Sequence, residues 1–428
     1  MRIYLKTFGC TLNQSDSDLM SNLLEDSGAN IVDTYDNADV VVLNTCTVKR
    51  ITEQKILYLI DKLNAKGKKV VVTGCMAGAN SKKIKQHMNN ASIIAPQNEH
   101  KINEVVLNTH LGNRMELLEE NNFDKLSIFK PNGTHIAHIP VSEGCLSNCS
   151  FCETKFARGP LKSYDEKLII RAIKDSVNNG AVEIQLTSQD MGAYGLDKNT
   201  NIAMLMEKIS SIDGDFKVRV GMLNPDHLHK YFDMLVEQFK SDRFYKFIHL
   251  PIQSGSNKII LDMGRRCSSE QFILYASELR SKIKDITVAT DIIVGYPTEN
   301  MFEFDETIKF IEKLKPELTN ISRFGRREHA RASKLKEHPP IVVNKRSSDL
   351  YRIVREIQRK INNEYIGKQI SCVITEFSSN SINGRDKSYK QVILNQSDND
   401  KLDNIHLGDK LDVIVKQVSA NALYASVL

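Results

Sequence analysis

Three cysteines stand in one short stretch, Cys145-Leu-Ser-Asn-Cys149-Ser-Phe-Cys152, with the spacing C-x3-C-x2-C; three more lie far apart at Cys10, Cys46 and Cys75. Thiolates are soft ligands that suit zinc or iron–sulfur clusters. A structural zinc site closes with four ligands and usually draws its thiolates from C-x2-C pairs. Here only three thiols cluster, and closing a zinc site would require His135 or His138 just upstream. A cubane cluster held by three thiolates instead leaves one iron without a protein ligand, and an open metal position can bind a small molecule. Two sets of three therefore point to two metal centres. The competing reading of the dispersed set is three buried structural cysteines, since free Cys is often buried. Cys267 and Cys372 belong to neither set.

The elements around these residues favour the metal reading. Residues 2–8 alternate polar and apolar, and 39–43 and 69–73 are β-branched runs, with helical spacing between them. Strand–helix alternation of this kind predicts an open, largely parallel α/β sheet. Cys10, Cys46 and Cys75 each come directly after one of these strands. Parallel strands would bring all three to the same edge, where ligands bind in such folds. Residues 111–134 read as a polar linker. A second βα series follows, with candidate strands at 135–141, 182–187, 216–220, 246–250, 287–294 and 318–322. Six βα units predict a partial barrel whose site lies at the C-terminal ends of its strands. Cys145, Gln189, Asp190, Asn224, Gln253, Glu299 and Arg323 all fall there. Ser163 to Glu166 and Ser268 to Gln271 read as capping boxes that open helices. Beyond residue 361, β-rich runs at 369–377, 389–394, 411–418 and 423–427 predict a small antiparallel barrel of the oligonucleotide-binding kind. The expected domains are 1–110, 135–360 and 364–428.

The totals agree with an ordinary globular protein: 428 residues, 41% hydrophobic and 26% charged. No apolar run approaches bilayer length, and the N-terminus reads as a strand and not a signal peptide, which predicts a cytoplasmic protein without a membrane partner. In that compartment patterned cysteines are metal or redox sites more often than disulfides. Net charge is +5, yet residues 323–360 alone hold twelve Lys/Arg against four Asp/Glu. A basic stretch of this kind reads as a phosphate-binding surface, or else as a solvated helix face. From residue 364 onward the charge is near neutral, with seven Lys/Arg and eight Asp/Glu, so the basic stretch would have to supply most of the attraction to RNA.

The cysteine loop resembles that of the radical S-adenosylmethionine enzymes. The wider pattern is similar to the methylthiotransferase family. Thr7-Phe-Gly-Cys10-Thr-Leu-Asn-Gln-Ser-Asp16, Leu43-Asn-Thr-Cys46-Thr-Val48 and Val72-Thr-Gly-Cys75-Met-Ala77 match that family's N-terminal motifs. Arg158-Gly159, Gln189-Asp190, Gly221-Met-Leu-Asn-Pro225, the stretch 249–256 and the stretch 290–299 match those of its barrel. The tail resembles the family's RNA-binding TRAM domain. The opening motif looks most like the archaeal and eukaryotic branch, which acts on N6-threonylcarbamoyladenosine in tRNA, and the barrel-like sequence running to Leu428 fits the archaeal type. Two departures stand out: Ser322-Arg-Phe-Gly-Arg-Arg-Glu-His-Ala330 in place of a segment with Arg-Pro-Gly-Thr, and Glu153 where an apolar residue is usual.

The resemblance implies two 4Fe-4S clusters, one on Cys145, Cys149 and Cys152 that cleaves S-adenosylmethionine, the other on Cys10, Cys46 and Cys75 that carries the sulfur. It implies a methylthio group placed on carbon 2 of the adenine beside the anticodon, and an external electron donor. No acid–base residue could substitute an unactivated aromatic C–H, so the cofactors carry the hard chemistry. Gln189, Asp190, Gln253 and Glu299 are the candidate S-adenosylmethionine contacts. Residues 323–360 are the candidate surface for the tRNA anticodon stem-loop, and Tyr389 is a candidate base-stacking ring or a core tyrosine. Alternatives within the same chemistry are isopentenyl-adenosine in tRNA or an aspartate of a ribosomal protein. From another class comes a noncatalytic RNA-binding protein stabilised by metal.

Overall fold

The computed structural model describes residues 1–48, 50–395 and 405–428. The β-branched runs form strands whose side chains are buried on both faces, as parallel strands between helices must be. Strands β1 (Arg2–Thr7), β2 (Asn30–Ile31), β3 (Val40–Thr45), β4 (Val70–Gly74), β5 (Ser92–Ile94) and β6 (Glu116–Leu117) make one sheet in the order β2-β1-β3-β4-β5-β6. Every pairing in it is parallel. Helices α1 (Thr11–Asp26), α2 (Arg50–Ala65), α3 (Cys75–His87) and α4 (Ile102–His110) connect the strands. Val41, Leu43, Val70 and Val72 pack with Ile56 and Ile60 of α2 and Met76 of α3. Val40, Val42 and Val71 pack on the other face with Met20 of α1 and Val105 of α4. Each such buried side chain contributes on the order of 1.5–3 kcal/mol. The sheet runs past the expected boundary at residue 110, because β6 lies inside the segment read as linker. A two-residue edge strand carries too little periodicity to show in a sequence.

All six strands expected of the second unit are present: β7 (Ile136–Pro140), β10 (Glu183–Thr187), β11 (Lys217–Val220), β12 (Phe247–His249), β13 (Thr287–Val294) and β14 (Leu318–Arg323). Between the first two lies the antiparallel pair β8 (Ser142–Glu143) and β9 (Lys162–Ser163). Strands β11-β10-β7 and β12-β13-β14 form two parallel three-stranded sheets. A parallel bridge from Val218 to Phe244 joins them into a partial barrel. Helices α5 (Thr154–Arg158), α6 (Glu166–Asn178), α7 (Ile202–Ser210), α8 (Phe232–Lys240), α9 (Asn257–Asp262), α10 (Ser269–Lys282) and α11 (Met301–Leu314) connect the strands. Ser268 caps α10 as expected, accepting from the Gln271 amide. Ser163 does not cap α6: it lies in β9, and Asp165 takes the Lys167 amide instead.

The basic stretch becomes α12 (Pro340–Asn363). Its inner side buries Val343, Leu350 and Val354 against the barrel, leaving Arg352, Arg355, Arg359 and Lys360 exposed. Strands β15 (Gln369–Ser378), β16 (Ser381–Asp386), β17 (Gln391–Asn395), β18 (Lys410–Val418) and β19 (Ala422–Val427) close a barrel in the order β15-β16-β17-β19-β18. Sequence reading misses β16, because Ser-Ile-Asn-Gly-Arg-Asp has one large apolar residue. Gly384 belongs there sterically: a Cβ would come within 2.7 Å of the Val373 carbonyl oxygen. Residues 396–404, inside the expected 364–428 unit, fall outside the described residues. Among the described residues no helix is long and apolar enough to cross a membrane.

Tyr389 proves to be a seam residue. Its ring packs on Tyr245 and Phe247, and its hydroxyl lies 3.1 Å from both Glu183 Oε1 and Gln185 Nε2. These partners sit at or near the strand starts of the βα barrel, so the ring is committed to joining the two barrels and is not presented to an RNA base.

A buried charge network joins the first sheet to the βα barrel. Lys125, within the expected linker, places its Nζ 2.6 Å from Asp16 Oδ1, 2.8 Å from Glu99 Oε2 and 3.1 Å from Glu143 Oε1. Arg158 of α5 reaches Asp16 Oδ2 at 2.5 Å and Glu143 Oε2 at 3.0 Å. Burial alone would raise the Asp16 pKa, but Arg158 and Lys125 outweigh it and hold the carboxyl low. Burial, and then the charge of Asp16, push Glu99 up to about 8. With Glu99 protonated, two carboxylates face two cations and the charges balance.

Removing one member of a buried ion network leaves an uncompensated charge, which costs about 3–5 kcal/mol. Lys125→Met is therefore expected to lower unfolding stability by about that much in denaturant titrations. Lys410→Met, which breaks the exposed pair with Asp215, should cost about 0–1 kcal/mol. A carboxyl whose folded pKa lies above its unfolded value contributes less stability once ionised. Stability should fall as pH rises from the ordinary carboxyl value of 4.5 to about 8, the value to which Glu99 is raised, and level off above it. Glu99→Gln should flatten that decline between mildly acidic and weakly alkaline pH, as thermal unfolding across the range would report.

Candidate metal centres

The dispersed thiols converge because β1, β3 and β4 are neighbours and all end on the same edge. Cys10 directly precedes α1, Cys46 directly follows β3, and Cys75 opens α3. Asn13 sits among them: its Oδ1 is 3.5 Å from Cys10 Sγ and 3.8 Å from Cys75 Sγ. Its amide nitrogen donates to Asn44 Oδ1 at 3.0 Å and to the Thr45 carbonyl at 2.9 Å, which fixes the side chain. Gly9, at φ +121°, lets the chain pass Cys46, where a Cβ would lie 2.9 Å from Cys46 Cβ. Burial drives the Cys75 thiol up to about 12, with the Arg158 guanidinium beside it pulling the other way. Arg158 Nε donates to Cys75 Sγ at 3.3 Å.

Cys145, Cys149 and Cys152 are half-buried in the loop between β8 and α5. The Ser147 amide donates to Cys145 Sγ at 3.3 Å, and Arg265 Nη1 lies 3.8 Å from Cys149 Sγ. Burial, then the charge of Asp190, push the Cys145 thiol up to about 12. A metal binding such thiols displaces their protons. Among the described residues no group of three or more His, Cys, Asp or Glu side chains is placed to hold a single metal ion. His138 does not turn to the cysteines, since its Nδ1 lies 2.8 Å from Asp18 Oδ2. His135 Nδ1 lies beside Gly408 of the last barrel. Thiols gathered without a fourth protein ligand fit an iron–sulfur cluster better than structural zinc.

At the strand ends above the patterned loop, several buried polar atoms lack a hydrogen-bond partner among the described residues: Ser188 Oγ, Gln189 Oε1, Asp190 Oδ2 and His227 Nε2. Asp190 is positioned by its other oxygen, which accepts from the Gly192 and Asn224 amides at 2.9 Å each. His227 Nε2 is 3.4 Å from the open Asp190 oxygen. Unpaired polar atoms in such a setting suit a polar small molecule. Gln253, just beyond β12, adopts φ +80° while its backbone pairs with Asp291 and Ile293. Strain of that kind in a non-glycine residue collects at functional sites. Glu299 is wholly buried; Oε2 accepts from the Gly295 amide and from Arg346 Nη1 of α12, each at 2.8 Å, and Oε1 lacks a hydrogen-bond partner among the described residues.

The two cysteine sets are tied to each other. Arg158, on the helix that follows Cys152, touches Cys75. Glu153 Oε1 accepts from the hydroxyl of Thr47, the neighbour of Cys46, and from Asn80 Nδ2 at 3.4 Å. Helix α3 crosses α5 at Gly78, where a Cβ would lie 2.6 Å from the Ala157 carbonyl oxygen. Sequence reading did not assign a role to Arg158, Arg265, His227 or Tyr296. The Tyr296 hydroxyl meets Ser150 Oγ at 2.8 Å and donates to the Asp262 carbonyl at 3.0 Å, bracing the cysteine loop. Only Arg158 and Tyr296 lie within the motifs quoted above; the contacts of all four span distances that no local pattern reveals.

Comparison with known proteins agrees with this arrangement. The model described as "Uncharacterized protein family UPF0004" matches residues 2–95, and that of the Radical SAM superfamily matches residues 139–311. A probable threonylcarbamoyladenosine tRNA methylthiotransferase of Pyrococcus abyssi is 38% identical over 400 residues, 92% of this chain and 93% of its own length. The threonylcarbamoyladenosine tRNA methylthiotransferase of Homo sapiens is 32% identical over 404 residues, 92% of this chain and 69% of its own length. Among solved structures, the radical S-adenosylmethionine methyltransferase TsrM from Kitasatospora setae, with cobalamin and a 4Fe-4S cluster bound, aligns with a TM-score of 0.55 at 11% identity, over 78% of this chain and 77% of that one. At that identity the likeness is one of fold. The sequence relatives carry the assignment: this chain belongs to the threonylcarbamoyladenosine tRNA methylthiotransferases, within the radical S-adenosylmethionine superfamily.

Proposed function

We propose that the protein transfers a methylthio group to carbon 2 of N6-threonylcarbamoyladenosine at position 37, next to the tRNA anticodon, in the cytoplasm. It is a transferase that uses an iron–sulfur cluster and S-adenosylmethionine. The finer reading is two 4Fe-4S clusters, and one observation carries it. One set of three thiols follows three neighbouring parallel strands, the other shares the loop between β8 and α5, and the two are tied together through Arg158 and Glu153. Cys145, Cys149 and Cys152 would hold the first cluster, and Cys10, Cys46 and Cys75 the second. When bound, these groups and S-adenosylmethionine supply the reductive cleavage, the radical and the transferable sulfur.

The chain's own residues position and balance these groups. Arg158 at Cys75 and Arg265 at Cys149 offset thiolate charge in a buried setting. Asp190 holds one oxygen on two backbone amides and leaves the other open, a geometry suited to a donor group of S-adenosylmethionine. Gln189, Gln253 and Glu299 complete the proposed contacts. Arg346 ties Glu299 to α12, so the proposed cofactor site and the proposed phosphate surface share one helix. The exposed Arg352, Arg355, Arg359 and Lys360 would follow the anticodon stem-loop, and the closed C-terminal barrel would act as a TRAM-like RNA module despite its neutral charge. An external protein would deliver electrons. The sequence relatives are named for threonylcarbamoyladenosine, which favours it over isopentenyl-adenosine or a ribosomal-protein aspartate.

Nucleoside mass spectrometry of tRNA from cells with and without the protein tests the substrate; an unchanged nucleoside profile would reject it. Cys145→Ala should abolish S-adenosylmethionine cleavage. Cys75→Ala should retain cleavage yet stop thio transfer, with roughly half the iron and sulfide of the intact protein; full methylthiolation by that variant rejects the second cluster. Arg352→Glu with Arg355→Glu should weaken tRNA binding and reduce its log–log salt dependence by about one unit for each phosphate no longer neutralised. Unchanged binding removes α12 from the RNA surface.

A further inference from the structure

A cavity of about 570 Å³ opens where α2, α3, the cysteine loop and the segment after β14 meet. That volume lies in the range of small-molecule sites, about 300–1,000 Å³. Arg50, Asn80, Glu153 and Arg326 line it, together with Glu53 and Arg327. Its inner wall adjoins both cysteine sets, since Glu153 follows Cys152 and is bonded to Thr47, which follows Cys46.

Two features show what it would take. Glu153 is 2% exposed and Asn80 6% exposed, and one acceptor oxygen of each, Glu153 Oε2 and Asn80 Oδ1, lacks a hydrogen-bond partner among the described residues. Unsatisfied buried acceptors are costly, so they mark a place where a ligand supplies donors. The cations fall into two classes. Arg327 and Lys83 both pair with Glu53. The guanidiniums of Arg50 and Arg326 form no ion pair among the described residues, although Glu328 and Glu337 also line the cavity and Glu337 Oε1 accepts from the Arg326 backbone amide at 3.1 Å; the Arg326 guanidinium donates to the Leu335 carbonyl at 3.3 Å. Planar guanidiniums suit carboxylates bidentately. The occupant therefore carries a carboxylate at the rim and N–H or O–H donors deeper in.

We infer that this cavity holds the threonylcarbamoyl group of the substrate base, with Arg50 and Arg326 taking its carboxylate and Glu153 and Asn80 accepting from its hydroxyl and urea N–H groups. The inference rests on the function proposed above and names the residues that select this base. An isopentenyl group has neither a carboxylate nor a donor and would leave both acceptors and both guanidiniums unanswered. The same contacts orient the base, since the group is anchored beside both cysteine sets. The residues that depart from the family pattern, Glu153 and the segment after Arg323, are thus the ones that shape this cavity.

The test uses the full-length protein and anticodon stem-loop RNAs bearing either N6-threonylcarbamoyladenosine or plain adenosine, with affinity read by fluorescence anisotropy. The intact protein should prefer the modified RNA by about tenfold or more, the scale of a charge-assisted hydrogen bond. Arg50→Gln with Arg326→Gln should lose that preference while keeping its affinity for the plain RNA. Glu153→Gln should reduce the preference in part. S-adenosylmethionine cleavage by the reconstituted double variant should persist, which excludes misfolding as the cause. Equal weakening toward both RNAs would make the two arginines general phosphate contacts and overturn the assignment, as would an unchanged preference. If the intact protein modifies tRNA carrying threonylcarbamoyladenosine and yet shows no preference, the cavity assignment alone fails. If it does not modify that tRNA, the functional reading falls and this inference with it.

Discussion

The structure turns on Arg158, a buried guanidinium shared between an ion network and a thiol. It answers Asp16 from the first sheet, Glu143 from the βα barrel and Cys75 from the dispersed cysteine set. Its position on α5 follows directly from the patterned cysteine loop. One side chain thus sets the spacing between two groups of thiols that belong to different sheets. Gly78 reinforces this by letting α3 lie against the backbone of α5 at a distance that a side chain would not permit.

Buried charges are a weak source of net stability, because desolvation offsets much of their attraction. Their value is in fixing one arrangement. Apolar packing inside each unit would tolerate some sliding of the sheet against the barrel; five ionisable groups linked pair by pair at 2.5–3.1 Å would not. Lys125 contributes most to this constraint, and it comes from the stretch that looks like linker. Its burial raises an energetic demand that only three carboxylates around it can meet. The elevated pKa of Glu99 follows from the same count, since two cations balance two carboxylates and leave the third better protonated.

The charge of the chain is divided by role. The strongly basic stretch folds so that Arg346 turns inward to Glu299 and Arg327 to Glu53, while Arg352, Arg355, Arg359 and Lys360 remain on the exposed side of α12. The inward cations hold the segment after β14 against both the first sheet and the barrel. The outward ones form the basic surface proposed for a phosphate chain, a charge that the near-neutral C-terminal barrel lacks. A charge count over the sequence merges these two populations, and only burial separates them.

Strand burial and cysteine spacing are local patterns, so the two cysteine sets, the strand ends that carry Cys10, Cys46 and Cys75 and the parallel order that gathers those three were legible in the sequence before any tertiary contact was known. It also located every strand of the βα barrel and the basic character of α12. It did not show the short strands β2, β5, β6, β8 and β9 or the polar β16, whose runs have no periodic signal, and it left Tyr389 between RNA stacking and a core position, where packing gives it to the seam between barrels. Tertiary structure alone decided the partners of the buried polar groups. Arg158 meets Asp16 across 142 positions and Arg327 meets Glu53 across 274. Such pairs depend on where whole sheets and helices come to rest, and a charged residue looks the same in sequence whether it faces water or a buried carboxylate.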